Sequence, residues 1–156
     1  MTEYRPRLFS NDAEIAHLGE RFLSRTLPKA EWTHEAHLAT TTWLLLRRPD
    51  VDVDRELPDL IRRYNESVGG VNSDSEGYHE TITRVFLAGV RLFIGEGDRT
   101  EPLHELLNEL LLSPMGRRDW PLRFYSRERL LSVEARRNFV PPDLAALPLV
   151  RFARAI

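Results

Sequence analysis

The sequence predicts an all-α protein, and three features of its hydrophobic pattern support that prediction. Apolar residues recur every three or four positions in several segments, which is the period of an amphipathic helix. No segment alternates convincingly at the period of two that a half-buried strand requires. Polar turns, glycines and prolines separate the helical segments at short intervals. We therefore expect one domain over 1–156, an up-down bundle of about six helices that ends in an irregular, proline-rich tail.

The first two helices carry clear start signals. Asn11, followed three residues later by Glu14, indicates a capping box, so a helix is predicted over about 11–26. Thr33 is a good N-cap for a second helix that runs to Arg48, where a proline follows. Apolar residues cover much of the circumference of this second helix, which predicts that it is central and buried.

A polar turn separates the third and fourth helices. Asp52 begins the third helix, and the pair Gly69-Gly70 is a natural C-terminal stop. Segment 71–76 has the composition of a turn. The fourth helix is predicted over 78–94, and its apolar spacing places His79 on the core face.

The last third of the chain is less regular. Thr100 is expected to cap a fifth helix that ends at Ser113. Segment 115–125 has no periodic pattern, and a loop of that length is suspected of covering a site. Ser126 is expected to cap a sixth helix that extends to about Arg137. The tail is then expected to pack back onto the bundle through four apolar side chains, Phe139, Leu144, Leu149 and Phe152.

Composition excludes several classes of function. The chain has no cysteine, so disulfides, thiolate metal ligands and cysteine nucleophiles are excluded. The formal net charge of −2 comes from interspersed charges of both signs, which offers no basic stripe for nucleic acid. No apolar run approaches the roughly 20 residues that a membrane span needs. We expect a soluble, cytoplasmic protein without a nucleic-acid or membrane partner.

Three histidines stand at the starts of helices. His34 and His37 are three residues apart, so they lie on one side of the second helix, and His79 begins the fourth. Short loops would make consecutive helices antiparallel, which brings the N-termini of the second, fourth and sixth helices to one pole. The same pole would hold three further candidate site residues, Glu80, Tyr125 and Arg127.

One functional hypothesis is a mononuclear metal site. His34, His37 and His79 would be the ligands, with Glu80 or Glu35 as a fourth ligand or as a general base, around one divalent Zn, Fe, Mn or Ni ion. The protein would then be a metal-dependent enzyme that acts on a small molecule. His34 and His79 form the central pair of this hypothesis, because the spacing of His37 allows its side chain to face either the pocket or a neighbouring helix.

Two further hypotheses need no metal. In one, a histidine acts as an acid or base beside Glu80, with Tyr125 as a further catalytic candidate, while Arg127 and the helix N-termini hold an anionic or carbonyl-bearing small molecule. In the other, the protein is a structural or interaction bundle whose buried histidines are paired with neighbouring polar groups. The sequence leaves open whether the protein is an enzyme.

Three segments between residues 32 and 136 also stand out as a set. They read Trp-Thr-His-x-x-His-Leu, Gly-Tyr-His-Glu-Thr-Ile-Thr and Phe-Tyr-Ser-x-x-Arg-Leu-Leu-Ser-x-x-Ala-Arg. The set resembles a group of small bacterial proteins of uncharacterised activity, and this resemblance implies that the three segments belong together. The resemblance implies no activity, so no functional residue is taken from it.

Overall fold

The computed structural model describes residues 5–95 and 100–148, and in that part it is entirely helical, without strands. This confirms the all-α prediction. None of the helices described there has both the length and the apolar composition to cross a membrane. The helices are α1 (Asp12–Ser24), α2 (His34–Arg47), α3 (Val53–Ser67), α4 (Glu80–Ile94), α5 (Leu103–Leu112), α6 (Arg127–Leu130) and α7 (Val133–Arg137). Short 3-10 turns occur at Lys29–Glu31, Pro114–Gly116 and Trp120–Arg123.

The predicted N-caps of the first helices are confirmed. The Asn11 side chain accepts a hydrogen bond from the backbone N–H of Glu14 at 2.9 Å. The Thr33 hydroxyl accepts one from the N–H of Ala36 at 3.2 Å. Because the first N–H groups of a helix have no partner within the helix, these side chains determine where α1 and α2 begin.

The predicted cap of the fifth helix is wrong. α5 begins after Pro102, and Thr100 does not cap it. The backbone N–H groups of Leu103 and His104 instead donate to the Asp12 carboxylate, at 3.2 and 2.8 Å. An acidic side chain of α1 therefore caps α5 across the bundle, which local sequence could not indicate.

The predicted sixth helix is two short helices, α6 and α7. The Ser132 hydroxyl accepts a hydrogen bond from the N–H of Ala135 at 3.1 Å, which starts a new helix inside the predicted one. Just before this break, the carbonyl oxygen of Leu130 lies 2.9 Å from a ring nitrogen of His79. The break therefore lies where the chain is tied to α4.

Two apolar clusters fill the interior. The larger one joins the facing sides of α1 to α5. The smaller one lies between α4 and the chain after α5, and it is formed by Val85, Trp120, Tyr125, Leu130, Ala135 and Val140.

The tail packs through a different residue from those predicted. Phe139 and Leu144 are 44% and 61% exposed, so the expectation that they pack back onto the bundle is wrong. Val140 is buried instead, because the Tyr125 hydroxyl donates to its carbonyl oxygen and the Thr81 hydroxyl accepts from its N–H, at 2.6 and 3.1 Å. The other two predicted contacts, Leu149 and Phe152, lie outside the described residues.

We expect Gly19→Ala to destabilise the protein. A Cβ atom on Gly19 would lie 2.3 Å from the ring of Trp43 on α2, and this ring is itself buried. Overpacking of this kind costs roughly 1–3 kcal/mol. Denaturant unfolding should show that loss, whereas Glu20→Ala, an exposed change on the same helix, should stay within about 0.5 kcal/mol of the parent. Equal stability of both variants would show that α1 and α2 can separate without cost.

Candidate functional site

A cavity of about 770 Å³ lies where the N-termini of α2 and α4 meet the C-terminal half of α3. The chain after α5 and the end of α7 contribute to its other sides. All three histidines singled out in the sequence, His34, His37 and His79, line this cavity. Most of the remaining wall is apolar, with side chains that include Leu38, Leu57, Ile61, Val68, Phe86 and Leu87.

A stack of rings fixes the start of α2. The Trp32 ring stacks on Phe22 of α1, with centroids 4.4 Å apart, and on His37, with centroids 3.9 Å apart. Thr33, the residue after Trp32, is the N-cap of α2. The sequence left open whether His37 faces the pocket or the packing between helices. In the structure its ring does both, since it packs against Trp32 and also lines the cavity.

His34 ties the loop after α5 to the start of α2. Its Nε2 atom lies 2.8 Å from the carbonyl oxygen of Gly116. A carbonyl oxygen only accepts, so Nε2 carries the proton and donates it. Burial lowers the pKa of His34. The hydrogen bond to the Gly116 carbonyl opposes this effect in part, and the positive charge of Arg118 adds a smaller lowering.

His79 is the N-cap of α4, not its second residue as predicted. Its Nδ1 atom accepts a hydrogen bond from the N–H of Ile82 at 3.1 Å, and its Nε2 atom donates to the carbonyl oxygen of Leu130 at 2.9 Å. Both ring nitrogens are therefore engaged in the neutral form. Burial lowers the pKa of His79, which favours that form.

His37 differs from the other two histidines of the cavity. Within the part of the chain that the structure describes, neither of its ring nitrogens has a hydrogen-bond partner. Burial lowers the pKa of His37 to about 3, with smaller contributions from His34 and Arg118. The imidazole is therefore uncharged near neutral pH, with one donor and one acceptor that no described residue uses.

The three histidines share the cavity without forming a metal-ligand set. Across residues 5–95 and 100–148, no group of three or more His, Cys, Asp or Glu side chains is arranged to hold a metal ion. The Nε2 atoms of His34 and His79 each donate to a carbonyl oxygen, so neither is directed at a shared ion. The divalent-metal hypothesis for His34, His37 and His79 stays a prediction without support from this geometry.

The predicted catalytic residues lie outside the cavity lining. Glu80 accepts from the Tyr78 hydroxyl at 2.6 Å and pairs with Arg84 at 3.0 Å. Tyr125 is fully buried in the smaller cluster, where desolvation raises its pKa to about 12. Arg127 is exposed at the start of α6. The pole therefore holds the histidines but does not direct these three side chains into the cavity.

The basic side chains that do line the cavity are Lys29, Arg118 and Arg136. Sequence reasoning did not select them. Arg118 lies in the aperiodic segment 115–125, the segment suspected of covering a site, so a search for cations in that segment could have found it. Nothing in the helical periodicity distinguishes Arg136 from Arg137, the other arginine of α7.

The turn between α3 and α4 forms a rigid wall of the cavity. The Asn72 side-chain oxygen accepts from the Asn65 amide and from the Tyr78 N–H, both at 3.0 Å. Gly77 has a φ of +85°, and a Cβ there would lie 2.3 Å from a backbone oxygen. Arg136 donates to the Gly77 carbonyl at 3.0 Å, which fastens the turn to α7.

Comparison with protein-family models, curated protein sequences and solved structures gives no match for this chain.

We expect acid to destabilise the protein through His37. Its pKa is lower in the folded protein than the value of about 6.5 in the unfolded chain, so the unfolded chain takes up the proton first. The stabilisation is complete above about pH 6.5 and is lost as the pH falls towards the folded pKa. From pH 7.5 to 5.5, this one group should lower the free energy of unfolding by roughly 1.4 kcal/mol.

Denaturant unfolding of the parent and of His37→Phe at the two pH values measures this effect. Phenylalanine keeps a ring against Trp32 but does not titrate, so the variant should lose less stability on acidification than the parent. His17→Gln removes an exposed histidine from α1 and is the matched control. An identical pH dependence in the parent and in His37→Phe would contradict the assignment.

Proposed function

We propose that the protein binds a small organic anion with an apolar body in the cavity between α2, α3 and α4. The observation that supports this most directly is the composition of the cavity lining, where three basic residues and one acidic residue, Glu76, accompany a mostly apolar wall. The volume of about 770 Å³ lies within the range of roughly 300–1,000 Å³ that is common for ligand pockets.

The apolar wall supplies the larger part of the expected binding energy. Trp32, Ile82 and Phe86 line the cavity and are only half-buried, so they present apolar surface that a ligand can cover. A ligand that covers such a surface gains roughly 25 cal/mol per Å² of apolar area removed from water. This favours a hydrophobic ligand body over a fully polar metabolite.

The cations favour a negative head group. Arg118 is exposed and forms no ion pair with any carboxylate in the described ranges, and the same holds for Lys29. Their charges would attract an anion over roughly the 8 Å Debye length of physiological salt. Because both residues are exposed while the apolar wall is buried or half-buried, the ligand would place its head group at the mouth and its body inside.

Binding fits this lining better than acid–base chemistry beside Glu80. Glu80 is held by Tyr78 and Arg84 and is not among the residues that line the cavity. The Nε2 protons of His34 and His79 are held by backbone carbonyls, as structural histidines are. The proposal is therefore a binding protein, without a metal.

The proposal predicts that affinity depends on the charge of the head group and on Arg118. Isothermal titration calorimetry would compare 4-phenylbutyrate with 4-phenylbutanol, which share one apolar body. The carboxylate should bind more tightly than the alcohol. Arg118→Gln should weaken binding of the carboxylate by roughly three- to tenfold, a loss between that of a solvent-exposed ion pair and that of a desolvated one. Affinity for the alcohol should not change.

Arg127→Gln is the matched control, since Arg127 is exposed but does not line the cavity. It should bind both compounds like the parent. Equal binding of the acid and the alcohol, or equal weakening by both arginine variants, would count against an anion site at this mouth. Thermal stabilisation by Zn²⁺ that disappears in both His34→Ala and His79→Ala would support the metal hypothesis instead.

A further inference from the structure

His37 is the one histidine of the cavity that makes no hydrogen bond through its ring with any described residue. His34 and His79 each donate a proton to a backbone carbonyl, at 2.8 and 2.9 Å. His37 has no such bond with any described residue, although it lines the same cavity. His37 is half-buried in the lining, so its ring nitrogens remain available to a ligand that enters the cavity.

The His37 ring is also held in place. It stacks on Trp32 with a centroid separation of 3.9 Å, and Trp32 stacks in turn on the fully buried Phe22 at 4.4 Å. These contacts restrict the rotation of the His37 ring, so its hydrogen-bonding atoms have a defined direction before any ligand arrives. A preorganised group of this kind costs less conformational entropy on binding than a mobile one.

We infer that His37 recognises a hydroxyl group on the buried body of the anionic ligand. This inference rests on the proposed function and narrows the ligand class to hydroxylated apolar carboxylates. A neutral imidazole has one donor and one acceptor, and a hydroxyl group can both donate and accept. A hydroxyl group therefore matches His37 whichever nitrogen carries the proton. The low pKa of His37 supports this pairing, because it keeps the ring neutral.

The head group and the hydroxyl would be recognised by different residues. Arg118 is exposed at the mouth, whereas His37 lies behind it on the first turn of α2. Both residues line the same cavity. A ligand with its carboxylate and hydroxyl at opposite ends of a short apolar body could contact both.

The test uses three pairs of probes with different spacing between the two groups. They are 3-phenylpropionate, 4-phenylbutyrate and 5-phenylpentanoate, each with its para-hydroxyl counterpart. Calorimetry with the whole chain should show that at least one hydroxylated acid binds roughly two- to tenfold more tightly than its parent, the usual range for one neutral hydrogen bond. His37→Phe should abolish this preference, so that each acid and its hydroxylated counterpart bind with equal affinity.

His37→Asn keeps a donor group and an acceptor in the side chain and should retain part of the preference, which a merely structural role of His37 would not produce. If no hydroxylated acid is preferred by the parent protein, or if the preference survives in His37→Phe, the inference is wrong while anion binding stands. If none of the acids binds, the proposed function and the inference fail together. If the parent protein shows no preference for any hydroxylated acid, the inference fails whether or not His37→Phe folds.

Discussion

Two hydrogen bonds from histidines to backbone carbonyls hold the cavity together. His34 on α2 donates to Gly116, and His79 at the start of α4 donates to Leu130. Each bond joins a helix start to the part of the chain that follows α5, over 82 and 51 residues of sequence. The chain after α5 thereby lies against the helix ends and closes part of the cavity. Both bonds require an imidazole N–H directed at the carbonyl. The Nε2 protons of these two side chains are therefore already used in the fold before any ligand binds.

This arrangement separates charge from apolar surface. Burial lowers the pKa of all three histidines, so near neutral pH the cavity wall carries neutral imidazoles among aliphatic and aromatic side chains. The positive charges of Lys29 and Arg118 lie in the exposed part of the lining. A charge there keeps most of its hydration, whereas the same charge deep among leucines would be strongly disfavoured. An amphiphilic anion complements such a cavity, with its charge outside and its body inside.

The start positions of α1 to α3 could be predicted because each depends on local chemistry. Asn11 and Thr33 cap their helices through groups three residues away, which sequence displays directly. The histidines could be expected near one another because helical spacing gives their face and short loops give the topology. The directions of Tyr125 and Arg127 could not be predicted, since the segment before them has no periodicity and the helix that begins at Arg127 is only four residues long.

The amino-acid sequence by itself determined the helical class, the position of most helices and the inward direction of His34, His37 and His79, because these follow from periodicity and from caps within one turn. Only the tertiary structure decided the partners of these residues. Three contacts join residues that are far apart in the sequence. Asp12 caps α5, Leu130 accepts a hydrogen bond from His79, and Arg118 lines the cavity beside the helix starts. The physical reason is that long-range hydrogen bonds and charge placement depend on how whole helices pack, and no local pattern encodes that packing.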